Sequence, residues 1–135
     1  LKENIKCVWK QKLKTLSNDF EINPWDEKNH NQIIESLKVE MNKEFGELIK
    51  FKISHSQKSI SIYFKHLWCM GIISTPPQCP VDRVILTKIK CQIYDRGWTN
   101  VDNIDDHIFK INLIKRKMKS DGHQSLSEWE LINFN

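Results

Sequence analysis

The sequence predicts an all-α protein, a compact bundle of about six helices in one domain over residues 1–135. Three observations lead there. A length of 135 residues suits one domain. Apolar residues recur at helical spacing through most of the chain. Strand-like alternation occurs once, at residues 49–54, and no second such segment exists to pair with it.

The opening segment places Ile5, Val8, Trp9, Leu13 and Leu16 on one stripe, and Ser17, Asn18 and Asp19 punctuate it. Asn23-Pro24 marks a turn, because the residue before Pro avoids the helical region. A long helix is expected from about Asp26 to Leu48. Asp26 is its N-cap, Glu27 opens the first turn, and Ile33, Leu37, Met41, Phe45 and Leu48 form its buried stripe. Residues 49–54 are then an extended connection. Ser54, His55, Ser56 and Gln57 supply cap chemistry for a central helix carrying Ile60, Ile62, Tyr63, Phe64, Leu67, Trp68, Cys69 and Met70. These are apolar nearly all round, as in a helix at the middle of a domain, and Gly71 lies near its end.

The run Ser74-Thr75-Pro76-Pro77-Gln78-Cys79-Pro80 is held extended by its three prolines. A fourth helix begins near Val81 or Asp82, with Val81, Ile85 and Ile89 on one stripe, and Gly97 breaks the chain again. Capping residues from Thr99 to Asn103 precede a fifth helix through Ile104, Ile108, Ile111, Leu113, Ile114 and Met118, which ends near Asp121-Gly122. Ser125-x-x-Glu128 fits a capping box for a last helix through Leu126, Trp129, Glu130 and Ile132.

Composition narrows the function. With 39% hydrophobic and 28% charged residues the chain should bury a core. It has no apolar run near membrane-spanning length, so no membrane association is expected. No basic segment followed by an apolar stretch marks a signal peptide, so the expected location is the cytoplasm. The formal net charge is +4, and 18 of the 21 basic residues are Lys. Ile, Lys and Asn supply 47 residues and Ala none, a bias that suits AT-rich coding and accounts for the charge without a ligand. Positive charge therefore permits DNA as a partner without demanding it. Cys7, Cys69, Cys79 and Cys91 show no Cys-x-x-Cys spacing, and the five histidines show no His-x-x-x-His arrangement. No metal and no cofactor are expected, and the thiols are expected to be reduced.

The chemistry-bearing stretch is Lys65-His66-Leu67-Trp68-Cys69-Met70-Gly71 followed by Pro76-Pro77-Gln78-Cys79-Pro80-Val81-Asp82-Arg83. A stiff connector delivers Asp82 to a helix start, where free backbone N–H groups favour its carboxylate. Such a group can stabilise a developing cation or orient a water. As a plain N-cap it contributes about 1 kcal/mol. Lys65 interrupts an apolar helix. Partial desolvation would make it a better amine nucleophile, whereas snorkelling to solvent would leave it ordinary. Trp68 has the ring to stack on an extruded base, or simply to fill core. Glu130 is a candidate partner for Arg83 or Lys65.

The run from about Lys58 to Ile85 resembles the catalytic segment of the helix-hairpin-helix DNA glycosylase superfamily. Pro80-Val81-Asp82 matches the Pro-Val-Asp element that, in this family, starts a helix after a short loop. The resemblance implies a glycosylase-like helical domain and gives Asp82 the catalytic carboxylate role. It makes Lys65 or Lys58 the candidate amine and Trp68 or Tyr63 the lining of a base pocket. Ser54-His55-Ser56-Gln57-Lys58 stands where the family has a Gly-x-Gly hairpin, so Ser56, Gln57 and Lys58 become its candidate phosphate contacts, with Arg83 beside Asp82. The pattern Tyr63, Lys65, Leu67-Trp68-Cys69 and Gly71, then Pro76-Pro77, Cys79-Pro80 and Asp82-Arg83, is also similar to that of a group of uncharacterised bacterial proteins. The expected function is DNA binding with glycosylase-like base excision. The alternative is a non-catalytic helical module that binds nucleic acid or a protein partner.

Overall fold

A computed structural model describes residues 1–89 and 102–134. The described residues form a compact all-helical bundle: α1 (Lys2–Ile22), α2 (Glu27–Phe45), α3 (Ile53–Cys69), α4 (Arg83–Lys88), α5 (Ile104–Ser120) and α6 (Leu126–Phe134). No strand occurs among them. Gly97, Cys91 and the capping residue expected at Thr99 lie outside the described residues.

Several boundaries differ from the sequence reading, each for a local reason. α1 runs past Ser17–Asp19 to Ile22, because the Ser17 hydroxyl donates to the Lys14 carbonyl at 2.8 Å and Phe20 is fully buried one turn on. The chain then turns at Asn23-Pro24, and Asp26 caps α2 by accepting from the Asn29 N–H at 2.9 Å. α2 stops at Phe45 rather than Leu48. The Asn42 amide turns the chain back by binding both backbone groups of Phe51, with Nδ2 donating to its carbonyl at 3.0 Å and Oδ1 accepting from its N–H at 2.8 Å.

α3 starts at Ile53, one residue before the expected cap cluster. Its first N–H groups are met from elsewhere. Asp102 accepts from Ile53 N–H at 2.6 Å across 49 positions of sequence, and His55 Nδ1 accepts from Lys52 N–H at 3.2 Å. Gly71 and Gly122 follow the ends of α3 and α5 with φ of 75° and 84°. That is the left-handed geometry that releases a helix into a turn. Asn103 caps α5, and the Ser125 hydroxyl accepts from Glu128 N–H at the start of α6.

The buried apolar residues fall into two clusters. One gathers α1, α2, α3, Phe51 and Ile73, centred on Phe20, Ile34, Met41, Ile60 and Phe64. The other gathers Cys79, Val81, α4, α5 and α6, centred on Ile85, Ile111, Ile114 and Trp129. Most of the polar bonds between the two halves converge on the proline-rich strap. Gln78 Nε2 donates to Asn31 Oδ1 at 2.7 Å, which leaves its Oε1 to accept from His107 Nε2 at 2.9 Å. The Ser127 hydroxyl donates to the Pro76 carbonyl at 2.8 Å. Pro76, Gln78, Cys79, Pro80 and Val81 are all buried. The strap is therefore an interior element, and its backbone groups need the side-chain partners they receive.

Candidate functional site

A groove of about 1060 Å³ opens between α1 and α3. Its α1 wall is set by helical spacing: Ile5, Trp9 and Leu13 form one stripe, and Lys6 and Lys10 stand beside it one turn apart. His55, Lys58, Ser59, Ile62, Tyr63 and His66 repeat on the facing side of α3 by the same rule. Two non-helical pieces complete the lining, Ile49 with Phe51, and Val81-Asp82, with Arg83 following as the first residue of α4. The lining is largely apolar, and among the described residues its cations are Lys6, Lys10, Lys58 and Arg83 and its one carboxylate is Asp82. Lys6 also approaches Glu3 at 3.9 Å on the exposed surface.

Side-chain amides fix both non-helical pieces. Asn42 holds Phe51, as above. Gln57 holds Val81 in the same two-point way: Nε2 donates to the Val81 carbonyl at 2.7 Å, and Oε1 accepts from the Val81 N–H at 3.1 Å. That clamp ties the end of the strap to α3 and so sets where Asp82 emerges. Asp82 is half-buried, and its Oδ1 accepts from the Ile85 N–H at 2.9 Å, capping α4. Phe51 in turn stacks on Trp9, with ring centroids 5.0 Å apart and planes 15° from parallel.

The groove thus unites Asp82, Lys58, Tyr63 and Arg83 from the sequence candidates. Gln57 also lines it, but its amide is engaged with Val81. Three other candidates lie elsewhere. Ser56 is fully buried, and its hydroxyl donates to the Ile34 carbonyl at 2.6 Å, joining α3 to α2. Trp68 packs against the first apolar cluster and does not line the groove. Lys65 reaches α6, where its ammonium binds Glu130 Oε1 at 2.8 Å and Oε2 at 3.2 Å. These side chains are only 20% and 8% exposed, so the pair is a largely buried tie rather than a groove amine. Lys65 therefore resolves as Glu130's partner, one of the two pairings considered.

In the sequence Trp9 is one member of the apolar stripe of the first helix, and no motif marks Lys6 or Lys10. Their periodicity is legible, but which face of α1 stays uncovered depends on α3 and Phe51. Burial pushes the Cys79 thiol far above its ordinary range, with Glu130 adding to the effect, so Cys79 packs as a small apolar side chain and does not offer a thiolate. Among the described residues no cluster of His, Cys, Asp or Glu could hold a metal ion, and no helix is long and apolar enough to cross a membrane. No protein-family model, curated protein or solved structure matches the chain, and the groove's geometry carries the functional reading.

Proposed function

We propose that the chain binds DNA in the α1–α3 groove and acts there on an unstacked nucleotide, as a base-excision glycosylase does. Asp82 supplies the carboxylate. The observation that carries the reading is the meeting of Asp82 with Lys58, Tyr63 and Arg83 on one groove with an apolar floor. An extruded base gains from an apolar, aromatic lining, and the flanking phosphates gain from the lysines and the arginine. As the N-glycosidic bond breaks, its electron pair leaves with the base and positive charge develops on the sugar. An anionic carboxylate at that point lowers the barrier. Water then adds to C1′ and gives up a proton. The Pro80-Val81-Asp82 element is consistent with this role. Lys65 is tied to Glu130, and of the two lysines that the resemblance offers Lys58 is the one on the groove.

A second reading rests on a specific bond. Asp82 Oδ1 already accepts from Ile85 N–H, so the carboxylate has a complete structural role as a cap. In that case the groove binds without turnover. One experiment separates the two: incubation of the protein with a panel of duplex and single-stranded oligonucleotides carrying damaged bases. Asn caps a helix about as well as Asp, so Asp82→Asn keeps the fold and the binding. Cleaved base that disappears in Asp82→Asn supports the enzyme. Binding without turnover across the panel supports the module.

A further inference from the structure

Resting on the DNA-binding reading, we infer that the groove selects single-stranded over duplex DNA and that Trp9 is the ring on which an unstacked base sits. Three aromatic rings line the trough, from α1 (Trp9), the 49–52 connection (Phe51) and α3 (Tyr63). Phe51 is buried and its plane is nearly parallel to Trp9, so it backs the Trp9 indole and fixes that ring's tilt. Trp9 remains partly exposed, and one turn of α1 carries Lys6 and Lys10 on either side of it in sequence. Lys58 supplies a cation from the α3 wall, and Arg83 another from the start of α4. An aromatic platform between basic walls suits a strand whose bases turn inward while its phosphates stay at the rim.

A duplex does not use these features. Its π-faces are hidden in the stack, and its outer surface is phosphate, which would lose hydration against the apolar lining for no gain. The volume points the same way: about 1060 Å³ is close to the clefts of about 300–1000 Å³ that enclose small ligands. That is room for unstacked nucleotides.

The test compares a short labelled oligonucleotide, single-stranded and as its duplex, by fluorescence anisotropy at low salt. The single strand is expected to bind at least about fivefold more tightly, stacking being worth about 1–3 kcal/mol per base. Trp9→Leu keeps apolar bulk against Phe51 and removes the π-face. It should weaken single-strand binding about five- to 150-fold and leave duplex binding unchanged. Lys6→Gln with Lys10→Gln should lower the salt slope by about 1.4, whereas Lys119→Gln, which does not line the groove, should keep the single-strand preference. Should Trp9→Leu fail to fold by circular dichroism, photocrosslinking of a halogenated-uracil strand to the unaltered protein decides: adducts on Trp9, Phe51 or Tyr63 support the inference, and adducts confined elsewhere overturn it. Equal affinity for both forms, or full binding in folded Trp9→Leu, overturns the single-strand inference and leaves the groove as a DNA site. Absence of binding to either form overturns both.

Discussion

Acidification from about pH 7.5 to about pH 5 is expected to remove about 4 kcal/mol of folding stability, through two buried histidines. His30 on α2 is fully buried, with Nδ1 accepting from the Trp25 indole N–H at 3.0 Å. Its proton therefore sits on Nε2, which is buried and has no hydrogen-bond partner among the described residues. Its pKa is lowered from 6.5 to about 3, chiefly by burial and in addition by His107. Burial lowers the pKa of His107 to about 4, with Lys110 contributing. Above pH 6.5 neither the folded nor the unfolded chain protonates these rings, and stability is at its plateau. Below it the unfolded chain binds two protons that the folded chain refuses, so stability falls as the pH falls. The loss is complete only once the folded-state values near 3 and 4 are passed. At about pH 5 the difference is about 2 kcal/mol for each residue. Urea denaturation at several pH values, analysed with a common slope, measures it. His30→Phe leaves the Trp25 N–H unpaired and lowers the plateau, but it should remove about half of the pH dependence. Stability that stays flat down to about pH 5, or an unchanged dependence in His30→Phe, would refute the reasoning.

Three further outcomes follow from named contacts. Gln57→Leu strips the buried N–H and carbonyl of Val81 of their partners and should cost about 2–4 kcal/mol in chemical denaturation, with base-excision turnover reduced because Asp82 is no longer placed. Lys65→Met removes an ion-pair partner from the Glu130 carboxylate, whose side chain is only 8% exposed, and should cost about 3–5 kcal/mol, whereas the double variant with Glu130→Leu should recover most of it in a double-mutant cycle. Gly122→Ala meets no steric neighbour but must adopt a φ of 84°, so the thermal midpoint should fall by an amount corresponding to about 1 kcal/mol.

The helices were legible because their signals are local. The stripe Ile33–Leu37–Met41–Phe45, the cap at Asp26, the glycines at 71 and 122 and the stiff run at Pro76–Pro80 each act within a few residues of themselves. Asp82 was legible as a helix start for the same reason. What escaped depends on contacts between distant segments. Asp102 caps α3 from 49 positions away, so the start of α3 was misjudged. In the sequence Gln57 offers cap chemistry and a candidate phosphate contact, and nothing there marks Asn42, yet each fixes a remote backbone segment of the groove lining. Lys65 and Lys58 sit on one helix seven positions apart and have similar local surroundings in sequence. Only the placement of α6 and Glu130 sends one to a buried tie and leaves the other on the groove. Trp9 was hidden by its own regularity, since an apolar stripe does not reveal which of its members stays partly uncovered.

The central claim is that DNA occupies the trough between α1 and α3, next to Asp82. Titration of isotope-labelled protein with a single-stranded oligonucleotide at low salt, followed by amide and indole N–H chemical shifts, tests it most directly. The account predicts the largest shifts at Lys6, the Trp9 indole, Lys58, Tyr63, Asp82 and Arg83, all lost together as salt is raised. Shifts centred on α5 and α6, or an unchanged spectrum at saturating oligonucleotide, would contradict it.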